Sequence, residues 1–528
     1  MEEPTWYLLE EQCPFSQSYL WDLQRKYFAA RGIEAWRLGE VPHYITSNPV
    51  IANSYAEIVF AFLRDQDRLA PAGGLDAEPL HICELGAGSG RFAYHFLTSL
   101  LRLCEQAGVA PESFRYVLTD QAASNIEFWR KHPRFQTWIT RNLLDVAVFD
   151  ILASRDIALE TSGRSITAGS LGRPLVVIAN YVFDSIPQDL FYLDEGICRQ
   201  CLVSLAVDAD PETLDDVELL ARVQCQYDLQ DLDGPAYEEP WLQQLLAGYQ
   251  NALTDTHLLF PAQGLRGLQR LRALSKDGLL LLSADKGDHR LTALQGRPAP
   301  GLVRHGSFSL SVNYHAIKEY CQRSGGVAMF PNTFHRSLNV GACLLVHGAA
   351  DHLETRSAYQ RHVQDFSPDD FYTITKHTRP IIGEMSVDEI LAYLRLSRYD
   401  SQQFGRFLPR LAELAEQLDR GQRQAVIDAI DRVWTIYFPL GEKLDLANAI
   451  ALLLCGMGEF RRALELFRHS IDMYGPNVRE RTDVAATLHR LGRTEDAKSL
   501  LQMVLAHEPS GAEAQELMDS IRRAEAAV

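Results

Sequence analysis

Glu84, Gly86, Gly88 and Gly90 stand at alternate positions in the stretch His81-Ile-Cys-Glu-Leu-Gly-Ala-Gly-Ser-Gly90. An apolar run ends in a carboxylate and passes into a glycine-rich turn. Three glycines let a backbone turn tightly and come within contact distance of a ligand, and the N–H groups from Ala87 to Gly90 are available to meet it. The next segment, Arg91 to Ala107, is apolar at Phe92, Phe96, Leu97, Leu100, Leu101 and Cys104, which is helical spacing. Strand, glycine turn and helix together make the arrangement that receives nucleotide-like ligands. Arg91 occupies the position where a dinucleotide motif needs a glycine, and no lysine follows where a P-loop needs one.

More polar groups recur where later apolar runs end. Leu118-Thr-Asp120 closes the second run with a carboxylate able to accept two hydroxyls of a diol, or to cap the helix that follows. Asn142 and Asp145 follow the third, as ligand contacts or as turn residues. Val176-Val-Ile-Ala-Asn180 leads into Tyr-Val-Phe-Asp-Ser-Ile-Pro187, placing Asn180 and Asp184 at the carboxyl end of a strand, where open α/β sheets bind ligands. Asp285 and His315 are further acid–base candidates, and Tyr44 and Tyr181 are candidate aromatic walls.

The elements that must hold these residues follow from periodicity. Strands are expected at Leu80–Leu85, Arg115–Thr119, Trp138–Thr140, Leu175–Ala179, Gly278–Ser283 and Gly341–Val346, alternating with helices such as Leu265 to Ser275. That alternation predicts an α/β fold with a mostly parallel sheet over 76–349. Residues 1–75 read as a helical lead-in, with helices over Ser16 to Arg31 and Ile51 to Arg64 and a linker at Ala70-Pro-Ala-Gly-Gly74. An acidic stretch at 202–260 reads as a solvated insertion or as a lid above the ligand. Strands disappear over 350–528, where a period of 34 residues pairs Leu454 with Leu488, Gly458 with Gly492, Ala463 with Ala497 and Leu466 with Leu500. Asn477 and Pro509 are expected at hairpin exits.

Composition bounds the rest. A chain of 528 residues, 46% hydrophobic and 23% charged, is expected to form two or three globular domains. A net charge of −18 argues against a nucleic-acid partner. The longest apolar runs, such as Leu279 to Leu282, are strand-sized, so no membrane span is expected. Nine scattered cysteines fit reduced thiols. The acidic N-terminus has neither signal-peptide nor transit-peptide character, and together these point to the cytoplasm. Cys198-Arg-Gln-Cys201 has no second pair nearby, so no metal site is expected and the two read as strand residues.

The Glu-x-Gly-x-Gly-x-Gly phrase resembles motif I of the S-adenosylmethionine-dependent methyltransferases. Ala-Asn-Tyr-Val-Phe-Asp-Ser-Ile-Pro187 resembles the Ala-Asn-Glu-Phe-Phe-Asp-Ala-Leu-Pro phrase of the MidA family, which includes a mitochondrial complex I assembly factor that methylates an arginine. Tyr44 to Ala52, Ser283-Ala-Asp-Lys-Gly287, and His305-Gly-Ser-Phe followed by Tyr314-His315 resemble other phrases of that family in the same order. The chain departs from it at Tyr181, where the family has Glu, at Asn48-Pro49, and at Lys286, where it has Tyr. The Leu-x-x-x-Gly-x-x-x-x-Ala phrase resembles the tetratricopeptide repeat.

The resemblance implies a Rossmann-like methyltransferase fold with a mostly parallel seven-stranded sheet and S-adenosyl-L-methionine as cofactor. Glu84, Gly86, Ala87, Gly88 and Gly90 would lie at its methionine end and Asp120 at its ribose. Asn142 or Asp145 would meet the adenine amino group, and Asn180, Asp184 and His315 would border the transferred methyl group. The leading expectation is a methyltransferase acting on a protein held by the C-terminal repeats. A small-molecule methyltransferase whose repeats serve oligomerisation, and a non-catalytic scaffold, fit the same residues.

Overall fold

The computed structural model describes residues 5–70, 78–508 and 511–526, so most of the 70–74 linker and Pro509 lie outside the described residues. The chain divides into two compact units, Met1–Thr373 and Ile374–Val528.

Seven strands form the central sheet of the first unit. In chain order they are Leu80–Leu85, Phe114–Asp120, Leu144–Val148, Leu175–Asn180, Gly278–Asp285, Val327–Met329 and Asn339–Val346. Their spatial order is third, second, first, fourth, fifth, seventh, sixth. The first five run parallel, and the seventh is antiparallel to both its neighbours. Every residue of the first, fifth and seventh strands is buried, as expected for strands covered on both faces. One face packs on the helices Pro240–Ala252, Ala262–Ala273 and Tyr314–Arg323 through Leu245, Leu265, Leu268 and Ile317. On the other lie Pro49–Leu69 and Arg91–Ala107, where the Phe96 ring sits 5.3 Å from that of Tyr116. Asn48 starts the first of these two helices: its Oδ1 accepts from the N–H groups of Val50 and Ile51, ahead of a proline at the first helical position.

Two expectations about this sheet need correction. Trp138–Thr140 is the end of a helix, Pro133–Thr140, and the third strand is Leu144–Val148. The β-favouring Trp-Ile-Thr triplet is overridden because His132 caps the helix and Pro133 starts it. The chain then reverses through Asn142, whose φ of 58° is left-handed. The lead-in is also not wholly helical. Tyr7–Pro14 is a strand paired with the C-terminal half of Ile197–Val207.

The acidic stretch is likewise built rather than merely solvated, and it begins before residue 202. Ile197–Val207 is flanked along one edge by Gln224–Asp231 and on the other by Tyr7–Pro14 and Asp189–Asp194, with Thr256–Phe260 beyond. This antiparallel sheet buries Cys201, Val203, Leu205 and Val207 against Phe15, Leu20, Trp21 and Tyr27 from the start of the chain. Lead-in and insertion therefore share one core. Cys198 and Cys201 are residues of this sheet, and all nine cysteines are free.

The first unit also continues past the expected boundary at 349. Asp65, fully buried on the helix Pro49–Leu69, accepts from the Thr355 N–H and hydroxyl (both 2.8 Å), from the Glu354 N–H and from Arg68. Those bonds fasten the helix Leu353–Tyr359 to the sheet-bearing unit.

The second unit is helical. Leu446–Gly456 with Phe460–Tyr474, and Val478–Arg490 with Thr494–His507, are successive hairpins 34 residues out of phase in the sequence. Gly458 and Gly492 take matching left-handed φ values of 79° and 78° at the two turns. Ala463 and Ala497, both fully buried, let the paired helices approach. Asn477 opens a hairpin by capping Val478–Arg490.

Asp65→Ala leaves the Thr355 donors without their acceptor, and is expected to cost about 2–4 kcal/mol in urea unfolding. Burial pushes the Asp65 carboxyl up, but the bonds from Arg68 and Thr355 hold it below the ordinary range. Its contribution is therefore present above the unfolded aspartate pKa and is lost as pH falls through the depressed one.

Candidate functional site

Asp120 connects the glycine turn to the sheet. Its Oδ2 accepts from the Gly88 N–H and from Asn125 Nδ2, both at 3.1 Å, and its Oδ1 accepts from the Ala122 N–H at 2.9 Å. The Ala87 N–H donates to the Thr119 carbonyl and the Gly90 N–H to that of Ala87, both at 2.9 Å. Three of the amides expected to meet a ligand thus hold the turn itself. What the turn offers a ligand is a surface without side chains. Gly88 has φ 52°, and a Cβ placed there would come 2.7 Å from the Trp36 ring. Asp120 lines the first cavity while much of its acceptor capacity is spent on the turn and on its own strand end.

Two cavities meet at this turn. The first, about 140 Å³, is lined by Asp120, Gln121, Phe149, Asp150, Ile151 and Leu152 together with Trp21, Gln24 and Arg25 of the N-terminal helix. The second, about 240 Å³, is lined by Glu84, Ala87, Gly88 and Ser89, by His43, Thr46 and Ser47, by Asn180 and Asp184, and by Lys286 and the His305–Ser309 hairpin. Phe28, Trp36, Gly86, Tyr181 and Ser185 border both. Phe28 and Trp36 stack with ring centres 6.0 Å apart. Tyr181 holds a φ of 55°, uncommon for a bulky residue, and its N–H donates to the Ala284 carbonyl at 3.0 Å.

The electrostatics of the second cavity are set by burial. Glu84 accepts from Tyr116 at 2.7 Å. Burial pushes its carboxyl up to about 8, with Tyr116 opposing and Asp120 adding to the rise. Asp120 is also raised by burial, against the donors of Ala122, Asn125 and Gly88. Burial, with Arg91 nearby, lowers His43 to about 3, so its ring is neutral. Asn180 accepts from the Tyr55 hydroxyl at 3.0 Å, while its buried Nδ2 has no protein partner.

Glu84, Gly86, Ala87, Gly88, Asp120, Asn180 and Asp184 therefore come together as expected, and Gly90 closes the turn beneath Trp129 and Phe135. Three residues do not. Asn142 lies exposed before the third strand, at the end of the sheet away from the glycine turn. Asp145 is buried early in that strand and accepts from the Val146, Thr161 and Ser162 N–H groups, holding a loop. The true position of the third strand accounts for both placements. Its true carboxyl end delivers Phe149 and Asp150 to the cavity, as the run Leu143 to Phe149 ending in an aspartate had signalled. His315 bonds through Nδ1 to the Tyr249 hydroxyl at 2.8 Å and lines neither cavity. Its neighbour Tyr314 is the one that points inward, donating to Asp285 at 2.7 Å. Tyr44 packs 6.5 Å from Tyr372 and lines neither cavity. Trp36 and Phe28 carried no sequence signal beyond being aromatic. Among the described residues no group of three or more His, Cys, Asp or Glu side chains is arranged to hold a metal, and no helix is long and apolar enough to cross a membrane.

No family model matches the chain, and no curated protein matches it. Among solved structures it is similar to an uncharacterised ACR superfamily protein from Burkholderia thailandensis, at 15% identity and a TM-score of 0.39, over 65% of this chain and 90% of that one. A second Burkholderia thailandensis protein of that superfamily, crystallised with S-adenosyl-homocysteine, is 14% identical at a TM-score of 0.36, over 65% and 97% of the two chains. The magnesium protoporphyrin IX methyltransferase of Synechocystis, also with S-adenosyl-homocysteine bound, is 11% identical at 0.27, over 62% and 99%.

A carboxyl raised from 4.5 to about 8 contributes stability that is full below the unfolded pKa and is lost progressively as pH climbs to the folded one. Glu84→Gln is therefore expected to flatten the fall in urea-unfolding free energy between roughly pH 5 and 8. An unchanged slope would show that Glu84 is charged in the folded protein.

Proposed function

We propose that the first unit is an S-adenosyl-L-methionine-dependent methyltransferase, acting in the cytoplasm on a protein acceptor engaged by the tetratricopeptide-like repeats of the second. The observation that carries this reading is the convergence of Glu84, the glycine turn, Asp120 and Asn180 on two adjoining cavities at the carboxyl ends of the parallel strands. These residues fit the cofactor. Asp120 lines the space in which a ribose would lie, and Phe149 to Leu152 wall an adenine-sized space beside it. Glu84 suits the amino end, and the unpartnered Asn180 Nδ2 is a ready donor. When bound, the cofactor supplies a methyl group on a sulfonium, a good leaving group. The protein's part is then to position the acceptor, exclude water and receive a proton.

Support for a protein acceptor comes from the 34-residue repeat, because stacked helical hairpins present extended surfaces that bind peptides and proteins. Nine unpaired cysteines suit a reducing compartment. One observation favours the scaffold reading instead. The Trp36 ring lies against Gly88 between the two cavities, so a ligand spanning both requires it to move.

Calorimetry with S-adenosyl-L-methionine separates these readings. Glu84 is mostly protonated at neutral pH, and a cofactor ammonium beside it favours its charged form, so binding is expected to release a proton. The apparent enthalpy then depends on the buffer in the wild type and not in Glu84→Gln. Absence of binding by folded wild-type protein would sink the enzyme.

A further inference from the structure

Behind the wall of the second cavity lies a pair of carboxyls. Asp184 is 3% exposed and Asp285 is fully buried, and the two carboxyls are close enough to perturb each other directly. Asp184 Oδ1 accepts from the Ser185 hydroxyl at 2.8 Å, and Asp184 lines the cavity. Asp285 stands outside the lining. Its Oδ2 accepts from Tyr314 at 2.7 Å and lies 3.3 Å from Ser283 Oγ, while its buried Oδ1 meets no donor. Two buried carboxyls side by side are not both charged, and the oxygen without a donor is the natural seat of the shared proton. Tyr55, Tyr181 and Tyr314 face the pair, all held neutral by burial first and by the carboxyls second, while Lys286, next in the chain, is exposed and lines the same cavity as Asp184.

We propose that Asp285 is a positioning residue that keeps this proton on Oδ1 and donates it to Asp184, so that Asp184 faces the cavity as the single charged carboxylate and takes the proton of the methyl acceptor. This rests on the methyltransferase reading and adds the class of acceptor: a nitrogen or oxygen that carries a proton and loses it as the methyl arrives. The balance is simple. The acceptor lone pair forms the bond to the methyl carbon, the electrons of the broken carbon–sulfur bond stay on sulfur, and the acceptor's proton goes to Asp184. Burial raises both carboxyls, and Asp184 next to Asp285 raises the latter further, so the pair titrates as one unit with its proton retained well above the ordinary carboxylate range.

Infrared difference spectra of the full chain locate the proton without any acceptor. Glu84 is also held neutral by burial, so the variants are made in a Glu84→Gln background; there the carbonyl band of a neutral carboxyl is expected at neutral pH, to be lost on adding Asp285→Asn, and to persist on adding Asp184→Asn. Loss on adding Asp184→Asn with retention on adding Asp285→Asn places the proton on the wrong partner and overturns the proposal, as does a Glu84→Gln parent with no such band. Tyr314→Phe removes a donor to Asp285 with almost no change in volume, and covers the case in which Asp285→Asn does not fold. Its band should survive to a pH higher by about one unit, a roughly tenfold shift in the proton equilibrium; an unmoved midpoint contradicts the model. Binding of S-adenosyl-homocysteine by the same variants keeps the two failures apart, since loss of binding in the wild type refutes the methyltransferase reading and leaves the infrared result standing.

Discussion

The hydrogen bonds accepted by Asp120 are what the site depends on. One buried carboxylate at the end of the second strand binds the amide of Gly88 in the turn after the first strand, and on its own side the Ala122 amide and Asn125. Charge-assisted bonds of this kind contribute about 1.5–3 kcal/mol each. Here they also fix a geometry, because the three left-handed glycines of the turn carry no side chains to define it. With Thr119 holding Ala87 from the same strand, the turn is pinned to its neighbour rather than to a ligand.

Around that pin the two cavities divide the work by polarity. The first is walled largely by apolar groups, Phe149, Ile151, Leu152, Ile186 and the N-terminal helix. The second gathers hydroxyls, a neutral imidazole and Glu84, a carboxyl whose charge is suppressed by burial. Suppressed carboxyls are reactive ones, because a raised pKa brings proton exchange toward neutral pH. The N-terminal helix lines the first cavity and shares one core with the antiparallel insertion, so parts of the chain far apart in sequence support the same wall.

The fold was legible wherever the apolar pattern was strong. The first, fourth, fifth and seventh strands and the helix Arg91–Ala107 lie at or within two residues of their expected limits, since continuous Leu, Val and Ile runs bury themselves between helices whatever their context. The third strand was misread because three β-favouring residues outweighed His132-Pro133, a capping signal only two residues long. Tyr7–Pro14 was invisible because an edge strand carrying two glutamates is made by its partner, Ile197–Val207, nearly two hundred residues away.

By itself the sequence determined the chemistry at the ends of the strands. Glu84, the glycines, Asp120, Asn180 and Asp184 each follow an apolar run, and a parallel sheet delivers the ends of its strands to one edge. It also determined the repeat, since stacked hairpins need the same small and apolar residues at the same interval. Only the tertiary structure decided which groups are charged and which are free. Asp120 is largely consumed by the turn it supports, Asp145 by a loop, and His315 by Tyr249, while Tyr314 reaches Asp285 and Asp285 reaches Asp184. Spacing along a chain tells which residues share a strand end. Burial and the partner across the sheet, which spacing does not carry, tell what each of them has left to offer.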